Sequence, residues 1–425
     1  MDILNYSDRL NQRLGEPQAY QLLRSLGQQT FSKLGWPTKR MESWRYSPVH
    51  RLKDDYIPQL SSLQNLSLEL PSLLEMWSSE LFWPIVTFNG TIIHLATELE
   101  SQIEVMPLKE ALQKNAIDSL SISETSDALE AMSLAFFDLG FFLKIKERTL
   151  IEKPIHWINV FSSSDTKALY HHRMVIKAEA ASNFTLLESN IVMGGEENSW
   201  LNLKSSIELE TSAHVCYVQW NELNRSNQCT HKIDFTVNND AYLHCLHGAL
   251  SEGWNRINLN INCVGSRAEV IAHGLGLSRD QGTIDQQTKL FFKGVENRAE
   301  QFCKNLLLDK SRAIFNGMIR IDPQAQKTDS SQLHRSLLLS AEAEVDTKPE
   351  LEIFADDVKA THGATIGQLR EDELFYFQSR GISKEKAKTL LCTAFLFDLC
   401  DRVNDDSLQR FLKSRIEGFW KRGNL

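Results

Sequence analysis

The stretch VKATHGATIG, Val358 to Gly367, sets a single histidine, His362, among small and polar residues. An imidazole can take up a proton near neutral pH or ligate a metal ion. A metal site, however, needs several converging donors, and no second histidine or cysteine lies within helical or CxxC reach of His362. The acids Asp356 and Asp357 precede it in EIFADDV, which reads as a strand running toward two glycines. His362 is therefore either a structural histidine at a turn or part of a site that another chain completes.

Other chemistry is sparse. HCLH, His244 to His247, would on a strand place Cys245 and His247 on one face and His244 on the other, so only the first two could converge on a metal. Cys263 and Cys303 fall in β-rich runs and read as small core residues, and Cys392 and Cys400, eight apart on a helix, read as buried apolar side chains. The sequence has no GxxxxGK[ST] and no GxGxxG after a strand, so the chain is not expected to bind a nucleotide. GxSxG, HExxH and paired CxxC motifs are also missing.

Composition bounds the rest. The 425 residues carry 46 basic and 55 acidic side chains, a net charge of -9, with no concentrated Lys and Arg, which argues against nucleic-acid binding. The longest apolar run, LAFFDLGFFLKI, is too short for a membrane span and contains Asp138. The start, MDILNYSDRL, lacks the pattern of a secretory signal, and seven irregularly spaced cysteines suit free thiols in a reducing cytoplasm.

The elements that must position His362 follow from periodicity. Leu10, Leu14, Tyr20, Leu22, Leu23, Leu26 and Phe31 recur at helical spacing, interrupted at Gly15 and Pro17. GWPTKRMESWRYSPVHRL reads as a loop pinned by Trp44 and Tyr46. Residues 81–95 predict a hairpin around Asn89-Gly90, and 124–139 a helix. From 154 to 369, short β-rich runs alternate with polar turns. Ala213, Ala241, Ala268, Ala299 and Ala325 mark a repeat in the high twenties, which favours stacked solenoid coils over a sandwich with its 8- to 12-residue strand spacing. Three regions are thus expected: a mostly helical 1–153, a β-helix core 154–369, and a helical 370–425. The terminal helices could cap the open ends of the solenoid.

In the last region Gly381 is a break and Ser383 an N-cap. Ala387, Leu390, Leu391, Ala394, Phe395 and Leu399 form one apolar face, and Cys392, Leu396 and Cys400 a second; a helix apolar on two sides must bury both, which leaves one face open to a partner. The final helix, with Leu408, Phe411, Leu412, Ile416, Phe419 and Trp420, is expected to end at Gly423. Docking a partner and packing within the chain are equally open for these helices.

Gln326 to Leu391, with QKTD, LLLS, VDTKPELEI, DDVKATHGATIG and LFYFQSRGI in order, closely resembles the C-terminal signature of the SufB/SufD family of the Suf iron–sulfur cluster assembly machinery. ESWRYSPV and FFDLGFFLKI followed by EKPIHWINVF extend the likeness over nearly the whole chain, nearer the SufD branch than the SufB branch. The resemblance implies a right-handed parallel β-helix flanked by N- and C-terminal α-helical domains. It implies pairing of that β-helix with a SufB-like protein, and docking of C-terminal helices on a SufC-like ABC ATPase, with Phe375, Tyr376, Arg380, Leu391, Cys392 and Leu396 as candidate contacts. It implies a transient iron–sulfur cluster shared with the partner, with His362 as the candidate iron or cluster ligand at the interface, and a homodimer as a possible state of the isolated chain. The position two before the histidine, often cysteine in SufD proteins, is Ala360, so any ligand role falls on His362 alone.

The expected function is a non-catalytic subunit of a cytoplasmic complex that builds nascent clusters. Two other readings stand beside it: a purely structural adaptor with no ligand to the cluster, and a β-helix enzyme acting on carbohydrate. The cytosolic character of the chain counts against the latter.

Overall fold

The computed structural model describes residues 18–53, 56–59, 80–117, 127–162, 167–193 and 198–422. The expectations for Leu10, Leu14, Gly15, Pro17, residues 124–126 and Gly423 fall outside these. The described chain opens with α1 (Gln18–Leu34), β1 (Ile57–Pro58), β2 (Trp83–Phe88), β3 (Thr91–Leu95), β4 (Ile103–Pro107), α2 (Leu108–Gln113) and α3 (Ala128–Phe136). The hairpin of β2 and β3 turns through Asn89 and Gly90, whose φ values of 42° and 75° are what a two-residue turn with the right twist requires. Asp127 caps α3 by accepting from the backbone N–H of Leu129 at 2.9 Å.

The rest is a parallel β-solenoid of about eight turns. One sheet stacks β5 (Leu139–Ile145), β7 (Ala168–Ala178), β9 (Ser199–Leu209), β11 (Gln228–Val237), β13 (Trp254–Cys263), β15 (Thr283–Phe292), β17 (Arg312–Ile321) and β19 (Glu344–Ile353). The other stacks β6 (Ile155–Ser162), β8 (Asn183–Met193), β10 (His214–Leu223), β12 (Tyr242–Ser251), β14 (Glu269–Ser278), β16 (Arg298–Leu307), β18 (Asp329–Leu338) and β20 (Lys359–Gln368). The stack begins at β5, ahead of position 154. Like residues align between turns, as in the column Ile176, Ile207, Phe235, Ile261, Leu290 and Ile319, so each turn buries its inner face against its neighbours.

The corners set the repeat. Ala181, Ser212, Asp240, Arg267, Glu296 and Lys327, each two residues before an even-numbered strand, all have φ between 54° and 60°. Side chains other than glycine rarely sit there. The backbone N–H of each donates to a carbonyl of the next turn, Ser212 to Asn239 at 2.9 Å and Lys327 to Asp357 at 2.6 Å among them, so the corner conformation is held by a ladder of bonds. Ala213, Ala241 and Ala268 follow this corner directly, as the repeat predicted. Ala299 and Ala325 do not: the equivalent positions are Asn297 and Thr328. At the first of these, the Asn297 side chain accepts from the Ala268 N–H at 2.8 Å, doing with a side chain what alanine does by being small.

Both sheets are apolar outside as well as inside. Trp200 and Trp254 on the outer face of the first sheet pack against Phe31, Trp44 and Met132 of the N-terminal region. Val218, Trp220, Leu246, Leu275 and Leu306 on the outer face of the second pack against α5 (Lys384–Cys400) and α6 (Asp406–Arg422), which follow α4 (Glu371–Ser379). Ion pairs of Lys304 with Asp398 and of Arg415 with Glu222 fasten this seam. The helices therefore cover faces rather than cap ends, because that is where exposed apolar surface would otherwise lie. At one end the antiparallel β3 and β4 finish the sheets; at the other, β19 and β20 leave their outer edges exposed among the described residues.

Candidate functional site at the open end

β20 hydrogen-bonds to β18 on one side and to no described strand on the other. His362 is its fourth residue and pairs with Gln332, so it sits within a strand and not at a turn. Strand parity places it at the end of the interior column Tyr217, Cys245, Ala272, Gln301 and Gln332. The column changes character as it nears the open end, from apolar to amide. Gln332 Nε2 donates to Gln301 Oε1 at 2.7 Å, Gln301 passes its own N–H to Thr288, and Gly317 leaves room for the Gln332 amide. His334, the other histidine of this end, pairs with Ala364 and stacks on Phe315 at 4.5 Å, fully buried.

Beside the edge, His362 lines a groove of about 400 Å³ with Glu300, Phe302, Arg335 and Arg402. Arg402, just past α5, donates to Glu300 at 3.0 Å, and both guanidinium groups lie over the Phe302 ring, at 4.9 Å for Arg402 and 5.7 Å for Arg335. The His273 ring beside Glu300, 3.6 Å away, holds its carboxyl below the usual range, with Arg402 adding to the effect. The outward-facing side chains of the groove thus offer two cations and one carboxylate, with the β20 backbone at His362 along its edge. Among the described residues no group of three or more His, Cys, Asp or Glu side chains converges on a point where a metal ion could be held.

Of the residues expected to meet a partner, Phe375 and Tyr376 stand out from α4 with 70% and 58% of their surface exposed. Arg380 is exposed and lies over the Tyr376 ring at 5.4 Å, and Leu391 is half-buried in a shallow groove with Tyr376 and Phe377. Cys392 and Leu396 are corrected out of this surface. They are buried in the seam between α5 and the second sheet, and burial pushes the Cys392 thiol up to about 12. The second apolar face of α5, with Cys400, is satisfied within the chain, while Leu390 on the first face stays exposed. Gly381 (φ 81°) breaks the chain and Ser383 caps α5, accepting from the Lys386 N–H, as expected.

All seven cysteines are free, and Cys263 and Cys303 are wholly buried. In the HCLH stretch His244 faces outward to His273 at 3.1 Å, while Cys245 and His247 face the interior. Sequence reading missed Glu300, Gln301, Gln332, Arg335 and Arg402. Gln301, Gln332 and His362 lie one repeat apart, and a correctly phased repeat would have joined them.

The described chain is a parallel β-solenoid with helix-covered faces, one bare end and a partly polar column reaching that end. Residues 160–395 match the family described as SUF system FeS cluster assembly, SufBD core domain, and the chain belongs to that family. It is 25% identical over 411 residues to the iron-sulfur cluster assembly protein SufD of Escherichia coli, covering 94% of this chain and 92% of that one. It is 25% identical over 390 residues to the SufD of Bacillus subtilis, covering 89% and 88%, and 24% identical over 415 residues to the chloroplastic protein ABCI7 of Arabidopsis thaliana, covering 94% and 86%. No described helix is long and apolar enough to cross a membrane.

Proposed function

We propose that the chain is a SufD-type subunit of a cytoplasmic assembly that builds nascent iron–sulfur clusters and is not catalytic alone. The observation that carries this reading is the bare edge of β19 and β20 with His362 at the end of the interior column. Unpaired strand edges are templates for another strand. A SufB-like partner pairing here would continue the sheets and bring the further donors that a cluster needs beyond one imidazole. Arg335 and Arg402 suit the negative charge of a sulfide-bearing cargo. Phe375, Tyr376, Arg380 and Leu391 would dock a SufC-like ABC ATPase, which supplies the nucleotide chemistry. In isolation, the bare edge could pair with a second copy of the chain.

The test is anaerobic reconstitution of the complex co-purified with SufB- and SufC-type proteins, comparing the parent with His362→Ala by bound iron and sulfide. Loss of both from an intact complex supports the ligand role. Unchanged loading favours the second reading, a structural adaptor, for which the lack of a three-donor group among the described residues speaks.

A further inference from the structure

His247, in β12, has 3% of its surface exposed, and neither ring nitrogen has a hydrogen-bond partner. It belongs to an interior column running Gln219, His247, Gly274, Cys303, His334 and Ala364 toward the open end. Gly274 leaves a gap in that column. A Cβ built on it would lie 2.6 Å from His247 Nε2 and 2.7 Å from Cys303 Sγ, so the two side chains lean over the glycine from opposite sides. A buried imidazole without a partner is an available donor, and the amide of its column neighbour Gln219, likewise unpartnered, can take one of its two nitrogens and leave Nε2 facing Cys303.

Two atoms at those distances from one point are at most about 5.3 Å apart. A straight nitrogen–metal–sulfur bridge with the bond lengths usual for imidazole and thiolate spans about 4.3 Å. Zinc takes four donors, and no third His, Cys, Asp or Glu joins this pair among the described residues. A soft monovalent ion is content with two, and thiolate selects monovalent copper. Charge points the same way: Cu(I) replacing the Cys303 proton leaves a neutral copper–thiolate unit in a dry interior, whereas a divalent ion would leave a net positive charge there.

We propose that His247 and Cys303 form an interior two-coordinate site for monovalent copper over Gly274. Binding forms a copper–sulfur and a copper–nitrogen bond, releases the thiol proton to solvent, and changes no oxidation state. The site is separate from His362 and does not depend on the role proposed for it.

The test uses the full chain under anaerobic conditions, titrated with Cu(I) against a chromophoric bicinchoninate competitor. The parent is expected to retain one equivalent more than either Cys303→Ser or His247→Gln, with folding of each variant checked by circular dichroism. X-ray absorption at the copper edge of the singly loaded parent, which needs no variant, should show one sulfur and one nitrogen neighbour. Equal retention by the parent and both folded variants, or a spectrum with two sulfur neighbours, overturns the proposal.

Discussion

Gln332 donates its side-chain N–H to Gln301 at 2.7 Å inside the last turns, while its own Oε1 has no partner and its strand neighbour on the open side is His362. The neighbouring column of the first sheet, Ile176 to Ile319, is apolar throughout, so the amides of this column spend burial on hydrogen bonds that apolar packing would not need. Gln332→Leu should cost about 1–3 kcal/mol by orphaning Gln301 Oε1, whereas Gln301→Leu with Gln332→Leu should recover much of the loss. Urea unfolding of both variants checks this. If the amides serve the end of the column, the double variant will lower the iron bound by the reconstituted complex while leaving stability near the parent's.

Arg256 and Asp285 join the N-terminal loop to the first sheet. The guanidinium lies 3.8 Å from the Trp44 ring centre, 2.6 Å from the Asp285 carboxylate and 2.8 Å from Ser47 Oγ, and both charged side chains are buried. Asp285→Ala leaves a buried cation without its counter-charge and should cost about 3–5 kcal/mol, while Arg256→Met with Asp285→Leu should cost less than that single change. Denaturant midpoints of the three proteins decide it.

The solenoid was legible because six successive turns repeat one constraint, a corner residue at positive φ two positions before a strand, which holds their lengths nearly equal. The phase of the repeat was less so. Alanine marks the corner in only some turns, and Asn297 fills the same place by hydrogen bonding, which no count of alanines detects. The placement of the terminal helices on faces was hidden for a similar reason. Trp200, Trp254 and Trp220 point outward on strands already apolar inward, and alternation cannot be read where both faces are buried. His362 was visible as an isolated histidine, but the groove around it depends on Glu300, Arg335 and Arg402, which register and helix packing bring from three separate places.

Burial makes the fold acid-sensitive. His156, His171, His172, His231 and His244 are pushed down to about 3 and His247 and His334 to about 4, in each case chiefly by loss of solvent. In the unfolded chain these rings titrate near 6.5. Their neutral burial costs nothing extra above that pH. Below it the unfolded state binds protons that the folded state refuses, so stability falls from about pH 6.5 down to the folded values, by roughly 2 kcal/mol at pH 5 for each ring that stays neutral. Urea midpoints should therefore drop steeply between pH 7 and pH 5, and His156→Gln should move the acid unfolding transition to lower pH.

The bare edge makes a separate prediction. Ile366, 47% exposed on β20, occupies an interior column position that no further turn covers among the described residues. Ile366→Glu should leave the isolated chain's stability within about 0.5 kcal/mol, since the site is solvated. The same change would bury a charge if another β-solenoid continued the stack, and should weaken association with a SufB-type partner tenfold or more, about 1.4 kcal/mol. Sedimentation or calorimetry with the partner measures it, and unchanged association would place the interface elsewhere.

Phe375 and Tyr376 extend the logic to the helices. Large aromatics exposed side by side on α4, with Arg380 over one ring, are the residue types that dominate binding energies at protein interfaces. They contribute little to the fold, because only Leu374 of α4 is buried. Phe375→Ala with Tyr376→Ala should therefore keep the thermal midpoint of the isolated chain and weaken capture of a SufC-type ATPase by about 2 kcal/mol or more, some thirtyfold. Leu396→Ala is the contrasting change. It opens a cavity in the seam under α5, costs about 2–5 kcal/mol of stability, and reduces capture only as far as it unfolds the helices. If the aromatic pair proves silent in binding, the ATPase docks on another face of the chain.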